Sequence, residues 1–221
     1  MKFGQSKPIL YLITRGATNE ATTPDSLEFR QIIDQVSAAA AAGIDLIQLR
    51  EKRLSARVLF ELARQAVAVT QGSATLVFVN DRADVAAGAG AHGVHLTTQS
   101  IDAAAIRRTF GSDLLIGAST HSLDEARKAK QAGADFIVFG PVFDTVSKRE
   151  FGAPVGLAEL ANVTRELADF PVLALGGVVI DNFAQCLNVG ARGIAGITLF
   201  SKPEQLHSVA AEIRRAQRNE N

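Results

Sequence analysis

The chain has 221 residues, 47% hydrophobic and 21% charged, with 23 lysines and arginines balanced by 23 aspartates and glutamates. Zero formal charge and a pI near 6.9 argue against a nucleic-acid polyanion or an acidic membrane as partner, so any anion site must be local. The single cysteine, Cys186, excludes an internal disulfide framework and a cysteine-rich zinc site, and suits a reducing compartment. Residues Met1 to Pro8 lack the long apolar core of a secretion signal, and no apolar run approaches membrane-spanning length, so a cytoplasmic location is expected. No Pro/Ser-rich or single-charge run divides the chain. One domain over residues 1–221 is expected, with 1–7 and 217–221 as flexible ends.

Eight β-branched-rich runs alternate with eight helical patterns, the mark of parallel strands joined by crossover helices. The predicted strands are Ile9 to Thr14, Asp45 to Arg50, Thr75 to Asn80, Gly93 to Leu96, Leu114 to Ser119, Phe136 to Gly140, Val172 to Gly176 and Gly193 to Leu199. The helices between them fall near Ser26 to Ala42, Ser55 to Thr70, Ala83 to Ala89, Ile101 to Phe110, Leu123 to Ala132, Leu157 to Leu167, Ile180 to Asn188 and Pro203 to Ala216. Gly43, Gly133 and Gly190 each stand where a helix needs a left-handed last residue, and a strand follows at once. Ser122 with Glu125 has the spacing of a capping box. Eight β/α units in this length predict a compact (β/α)8 TIM barrel; an open doubly wound sheet is the rival, but no Gly-rich dinucleotide fingerprint follows the first strand.

In such a barrel the site lies at the carboxyl ends of the strands. Several polar groups fall there. Gln48, Arg50 and Lys52 alternate with apolar residues and would share one face of an extended chain, where amide, guanidinium and ammonium suit phosphate oxygens. Asp81, one residue beyond the third strand, either holds Mg²⁺ or caps the helix starting at Ala83, and the two roles cannot use the same oxygens. The long segment from Gly140 to Pro154 carries Thr145, Ser147 and Lys148, well suited to grip phosphate or a polar ring. Gly176-Gly177 with Ile197-Thr198 marks where barrels commonly bind phosphate through backbone N–H groups. Of two histidines near the mouth, His121 is favoured over His95 as an acid/base group. Tyr11, Phe78 and Phe139 are expected to fill the core, and Cys186 to be buried and inert.

Taken together, Tyr11-Leu12-Ile13-Thr14, Gln48 to Lys52, Asn80-Asp81-Arg82, Gly93-Val94-His95-Leu96, Ser119 to Ser122, Gly140 to Phe143 with Thr145 to Lys148, Gly176-Gly177 and Gly193 to Thr198 resemble the motifs of thiamine phosphate synthases and their TenI-like relatives. The resemblance covers nearly the whole chain. It implies condensation of hydroxymethylpyrimidine diphosphate with a thiazole phosphate to give thiamine phosphate and diphosphate, through a pyrimidine methylene cation and with Mg²⁺. It further implies that Gln48, Arg50, Lys52, Asn80, Ser119 and Lys148 bind the pyrimidine diphosphate, and that Thr145, Val146, Ser147, Gly177, Ile197 and Thr198 form the thiazole phosphate site. Asp81 matches a Mg²⁺ ligand, and Arg50, Lys52, Ser119 and Lys148 match the catalytic groups. The second acidic Mg²⁺ position of the family is Ser100 here, and Asp102 could replace it only if the loop re-routes. The missing acid points to a TenI-like thiazole tautomerase with His121 as acid/base; a further alternative is a non-catalytic regulator that binds thiamine intermediates. Partners expected from the resemblance are the two small phosphorylated substrates, with no nucleic acid or membrane and with a homo-oligomer left open.

Overall fold

In the computed structural model, residues 7–145 and 153–216 are described, so Val146, Ser147 and Lys148 lie outside the described residues, as do 1–6 and 217–221 of the expected flexible ends. The β-branched runs form strands β1 (Ile9–Ile13), β2 (Leu46–Leu49), β3 (Leu76–Asn80), β4 (Gly93–Leu96), β5 (Leu115–Thr120), β6 (Phe136–Phe139), β7 (Val172–Ala174) and β8 (Gly193–Gly196). All neighbours pair in parallel. β8 returns to β1 with Ile9 opposite Gly193, closing the barrel and ruling out the open sheet. Helices α1 (Leu27–Ala41), α2 (Ala56–Thr70), α3 (Ala83–Gly88), α4 (Ala103–Phe110), α5 (Leu123–Gln131), α6 (Gly156–Glu166) and α7 (Phe183–Asn188) make the crossovers, and α8 (Leu206–Ala216) follows β8 after a 3₁₀ turn at Pro203–Gln205. No helix among the described residues is long and apolar enough to cross a membrane.

Strand alternation divides the core into two layers. Ile9, Tyr11, Ile13, Leu46, Phe78, Leu115, Phe136, Val138, Leu173 and Ala195 fill the barrel interior. The opposite strand faces, with Phe139 among them, pack beneath the apolar stripes of the helices. Tyr11, Phe78 and Phe136 meet edge to face, with centroids 5.5 to 5.9 Å apart. Two glycines make room for them: a Cβ on Gly93 would stand 2.3 Å from the Phe78 ring, and one on Gly117 would stand 2.4 Å from Phe136. Cys186 is buried as expected, and burial pushes its thiol up to about 12, far from a reactive thiolate.

The helix-to-strand junctions share one device. Gly43 (φ 71°), Gly133 (φ 94°) and Gly190 (φ 96°) adopt the left-handed conformation, and the residue after each donates its amide back into the helix just ended. Gly90 (φ 71°), with Ala91 donating to Ala86, is a fourth instance that the sequence reading missed. Two residues after three of these glycines, a side chain accepts the amide of the preceding strand: Asp45 from Leu10 at 2.9 Å, His92 from Val77 at 3.1 Å and Asp135 from Ile116 at 2.8 Å. Asp45 is also paired with Lys7 at 3.0 Å and Arg214 at 3.2 Å, and Asp135 with Arg107 at 2.9 Å. Lys7, expected in a flexible end, is therefore tied to the floor of the barrel. This amino-end face is stapled together, and the carboxyl-end face is left free to carry chemistry.

Strand β8, expected to run to Leu199, ends at Gly196, and three other predicted boundaries moved for local reasons. The first turn of α4 starts after Asp102, whose carboxylate accepts the Ala104 amide at 3.0 Å. α7 begins at Phe183 rather than Ile180, because Asn182 folds its side chain back to the Val179 amide at 2.8 Å. β7 stops at Ala174, ahead of the positive φ of Gly176 and Gly177.

Candidate active site

Strands β2 and β3 carry a connected polar row to one side of the mouth. Gln48, 2% exposed, donates Nε2 to Asn80 Oδ1 at 2.9 Å, and Asn80 donates Nδ2 to Asp81 Oδ2 at 3.3 Å. Asp81 stands with φ of 63°, the one non-glycine residue with positive φ among the described residues. Such a conformation costs roughly 1 kcal/mol and is held here by the Asp81 amide donating to His95 O at 2.9 Å. The turn aims its carboxylate at the loop after β4, where the Ser100 hydroxyl donates to Oδ1. The capping alternative for Asp81 is thereby corrected, since α3 has Arg82 at its N-cap with no side-chain bond.

The expected single face of Gln48, Arg50 and Lys52 is also corrected. β2 ends at Leu49, so strand alternation does not extend to Lys52, which is exposed in the following turn. Arg50 is half-buried, and its Nη1 lies 3.8 Å from where a Cβ on Gly16 would stand. The buried residue of this stretch is Glu51, 3% exposed. Its carboxylate accepts from Thr14 Oγ1 at 2.7 Å, the Gly16 amide at 3.1 Å, the Thr18 amide at 3.2 Å and Thr18 Oγ1 at 2.7 Å. Thr14 Oγ1 in turn accepts the Arg50 amide at 2.8 Å. Glu51 thus holds the loop after β1 against Arg50, a role the sequence reading did not assign. The signal available was an acidic residue between two cations, directly after a strand.

The other side of the mouth is a cavity of about 230 Å³. Val138, Leu175, Ala195 and Ile197 supply apolar wall, and Ser119, His121, Thr145, Gly177 and Thr198 line it as well. Gly176-Gly177 line the cavity, at the place where a backbone phosphate site is expected. In the fold they also admit the loop after β6: added Cβ atoms would stand 2.5 Å from Pro141 and from Asp144 O, while Phe143 donates its amide to Gly176 O at 3.0 Å. His121 points its Nδ1 at Gly140 O, which leaves Nε2 as the acceptor nitrogen, and its amide donates to Glu125 Oε2 at 2.6 Å. Half of the predicted capping box is present, with Glu125 N donating to Ser122 Oγ at 3.2 Å, while the Glu125 carboxylate reaches one residue further back, to the His121 amide.

His95 is different in kind. It is 1% exposed, bonded to Tyr11 and Ser119, and burial pushes its pKa from 6.5 down to about 3. An unfolded chain takes up the proton below pH 6.5 and the folded chain holds the ring neutral until about 3. The unfolded state is the more protonated one in that interval, so stability is full above pH 6.5 and is lost progressively as pH falls toward 3. In His95→Gln, the slope of unfolding free energy against pH should fall by about one proton in that window. Denaturant titrations at stepped pH measure it, and an unchanged slope would contradict the buried neutral ring.

The chain matches the family described as thiamine monophosphate synthase over residues 10–200. It is 37% identical over 206 residues to the thiamine-phosphate synthase of Chlorobium luteolum, covering 93% of this chain and 91% of that protein. A Geobacter sulfurreducens protein provisionally named thiamine-phosphate synthase is 45% identical over 169 residues, covering 76% and 79% of the two chains. The structure of thiamine phosphate pyrophosphorylase from Pyrococcus furiosus superposes with a TM-score of 0.77 at 30% identity, covering 95% of this chain and 98% of that one. The chain belongs to the thiamine monophosphate synthase family.

Within that family the position of Ser100 can be judged by geometry. Ser100 touches Asp81, so the two candidate metal positions are adjacent. The hydroxyl is further engaged by the Thr97 amide at 2.6 Å and Thr97 Oγ1 at 3.0 Å. Asp102 is engaged elsewhere, its Oδ1 accepting the Ala104 amide as the α4 cap. An exposed carboxylate beside a hydroxyl is a hard oxygen pair, which fits Mg²⁺ where substrate phosphate completes the shell. Among the described residues, no three or more acid, histidine or cysteine side chains converge as a preformed metal site.

Proposed function

We propose that this protein is a thiamine phosphate synthase that condenses hydroxymethylpyrimidine diphosphate with thiazole phosphate. The observation that carries the reading is the division of one barrel mouth into a polar half, Gln48-Asn80-Asp81 with Arg50 nearby, and an apolar-walled cavity on β5 to β8. A dissociative substitution asks for this division. Negative charge grows on the departing diphosphate, and Arg50 and Lys52 supply donors and charge to it, with Lys148 assigned by family resemblance. Asp81, beside the Ser100 hydroxyl, is the group that would hold Mg²⁺, whose contribution when bound is to neutralise the leaving diphosphate. The pyrimidine methylene cation is captured by the thiazole nitrogen, so the protein need provide no nucleophile. Val138, Leu175 and Ile197 exclude water that would otherwise capture the cation, and Thr145, Gly177 and Thr198 border the space for the thiazole phosphate, with Val146 and Ser147 assigned by resemblance.

The decisive experiment supplies the purified protein with both phosphorylated substrates across a Mg²⁺ series. Thiamine phosphate and diphosphate should appear in equal amounts; no product at any Mg²⁺ concentration would sink the proposal. A second reading, thiazole tautomerase, is favoured by one observation: the His121 bond to Gly140 O, which leaves the other ring nitrogen as a proton acceptor at the cavity. Isomerisation of the thiazole carboxylate phosphate, lost in His121→Ala, would select it, and binding without turnover of either substrate would select the regulator.

Ser100→Asp adds the second carboxylate beside Asp81. The Mg²⁺ concentration for half-maximal rate should fall about tenfold, because Mg²⁺ favours a second carboxylate over a hydroxyl. Without metal, two adjacent carboxylates repel, so the substitution should also lower stability in EDTA and restore it with Mg²⁺. An unchanged Mg²⁺ requirement would remove Asp81 and Ser100 from the metal site.

A further inference from the structure

The barrel interior holds a polar line that the scheme above does not use. Tyr11 OH lies 3.2 Å from His95 Nδ1, and His95 Nε2 lies 2.9 Å from Ser119 Oγ on the cavity wall. Tyr11 is 0% exposed and His95 is 1% exposed, and Phe78 and Phe136 pack against the Tyr11 ring. Gly117 makes the line possible, since a Cβ there would stand 2.8 Å from His95 Nδ1. Among the described residues, only His95 is bonded to the Tyr11 hydroxyl.

A neutral imidazole has one donor nitrogen and one acceptor nitrogen, so the line has two polarities. In one, Tyr11 donates to Nδ1 and Nε2–H donates to Ser119. In the other, Nδ1–H donates to Tyr11, Ser119 donates to Nε2, and the phenol proton is left buried with no acceptor. The second arrangement carries the cost of an unsatisfied buried donor, about 1 to 3 kcal/mol, and the first carries none. A doubly protonated ring would not resolve the matter, since Nδ1–H would again leave the phenol proton without an acceptor.

We propose that Tyr11 and His95 are positioning residues that fix the polarity of Ser119, so that its hydroxyl proton is always offered to the cavity and recognises a lone-pair acceptor on the pyrimidine diphosphate. Ser119 already receives His95 Nε2–H, and its own proton has the cavity as its direction. Without the Tyr11 hydroxyl, His95 is free to take the other tautomer and accept the Ser119 proton, withdrawing it from the ligand. The identity of the acceptor rests on the synthase reading; the polarity of the line does not.

The test has two arms that fail separately. In the ligand-free wild type labelled with ¹⁵N-histidine, the His95 ring should show a bare Nδ1 and a protonated Nε2 at neutral pH. A protonated Nδ1 overturns the proposal, whatever the protein catalyses. In the kinetic arm, Tyr11→Phe should lower kcat/KM for the pyrimidine diphosphate about tenfold, the worth of one hydrogen bond. Added to Ser119→Ala, the same change should cost less than about twofold, because it acts only through that hydroxyl. Equal losses in both backgrounds, at matched Tm, would mean a merely structural tyrosine and overturn the proposal. A bare Nδ1 in a protein without synthase turnover would leave the relay standing and sink only the assigned reaction.

Discussion

Arg50→Ala should lower kcat/KM for the pyrimidine diphosphate by about 10² to 10³-fold, the usual loss on deleting a donor aimed at developing transition-state charge. The guanidinium stands at the end of β2 beside Gly16, with the Arg50 backbone fixed independently by the hydrogen bond its amide donates to Thr14 Oγ1. Removing the side chain therefore leaves the loop in place. Stability should change by no more than about 0.5 kcal/mol, as for an ordinary half-exposed substitution. Arg50→Lys should recover only part of the rate, because an ammonium cannot offer the planar fork of donors. Steady-state kinetics over both substrates, with thermal melts of the same preparations, checks each element. A loss confined to the thiazole phosphate would reverse the assignment of the two halves of the mouth.

Glu51→Ala should be costly in both stability and rate. Four donors from Thr14, Gly16 and Thr18 end on this one buried carboxylate, and truncation leaves them without their acceptor. A loss of about 3 kcal/mol is expected, partly relieved where water enters, which corresponds to roughly 6 to 12 °C in Tm for a domain of this size. Glu51→Gln separates charge from shape. One amide oxygen can still accept two donors, but the amide nitrogen faces the other two as a donor, so the loop after β1 should loosen with an intermediate fall in Tm. If Glu51→Gln matches the wild type in melting and in pyrimidine diphosphate kinetics, the carboxylate is not what holds Arg50 in place.

These two neighbours show how the sequence divides its information. Arg50 was legible because a cation at a strand end is informative once eight β/α units imply a mouth. Glu51 was not, because its four donors lie 33 to 37 residues away in the loop after β1, and no local spacing announces them. The same limit explains Lys52. Alternation held as far as Leu49, and the turn that follows obeys no period of two.

By itself the sequence determined the barrel: strand runs, helix stripes and left-handed glycines are local signals, and parallel strands with short crossovers leave few other closures. It also determined the family, through motifs that each sit at a strand end. Only the tertiary structure decided what those motif residues do to one another. It set Ser100 against Asp81, assigned Asp102 to a helix cap, and gave Gly176-Gly177 the task of admitting the loop after β6. It also joined Tyr11, His95 and Ser119, drawn from β1, β4 and β5, into one buried line. Hydrogen-bond polarity and burial depend on which atoms meet across the barrel, and that pairing is written in the closure of the strands and not in any single stretch of chain.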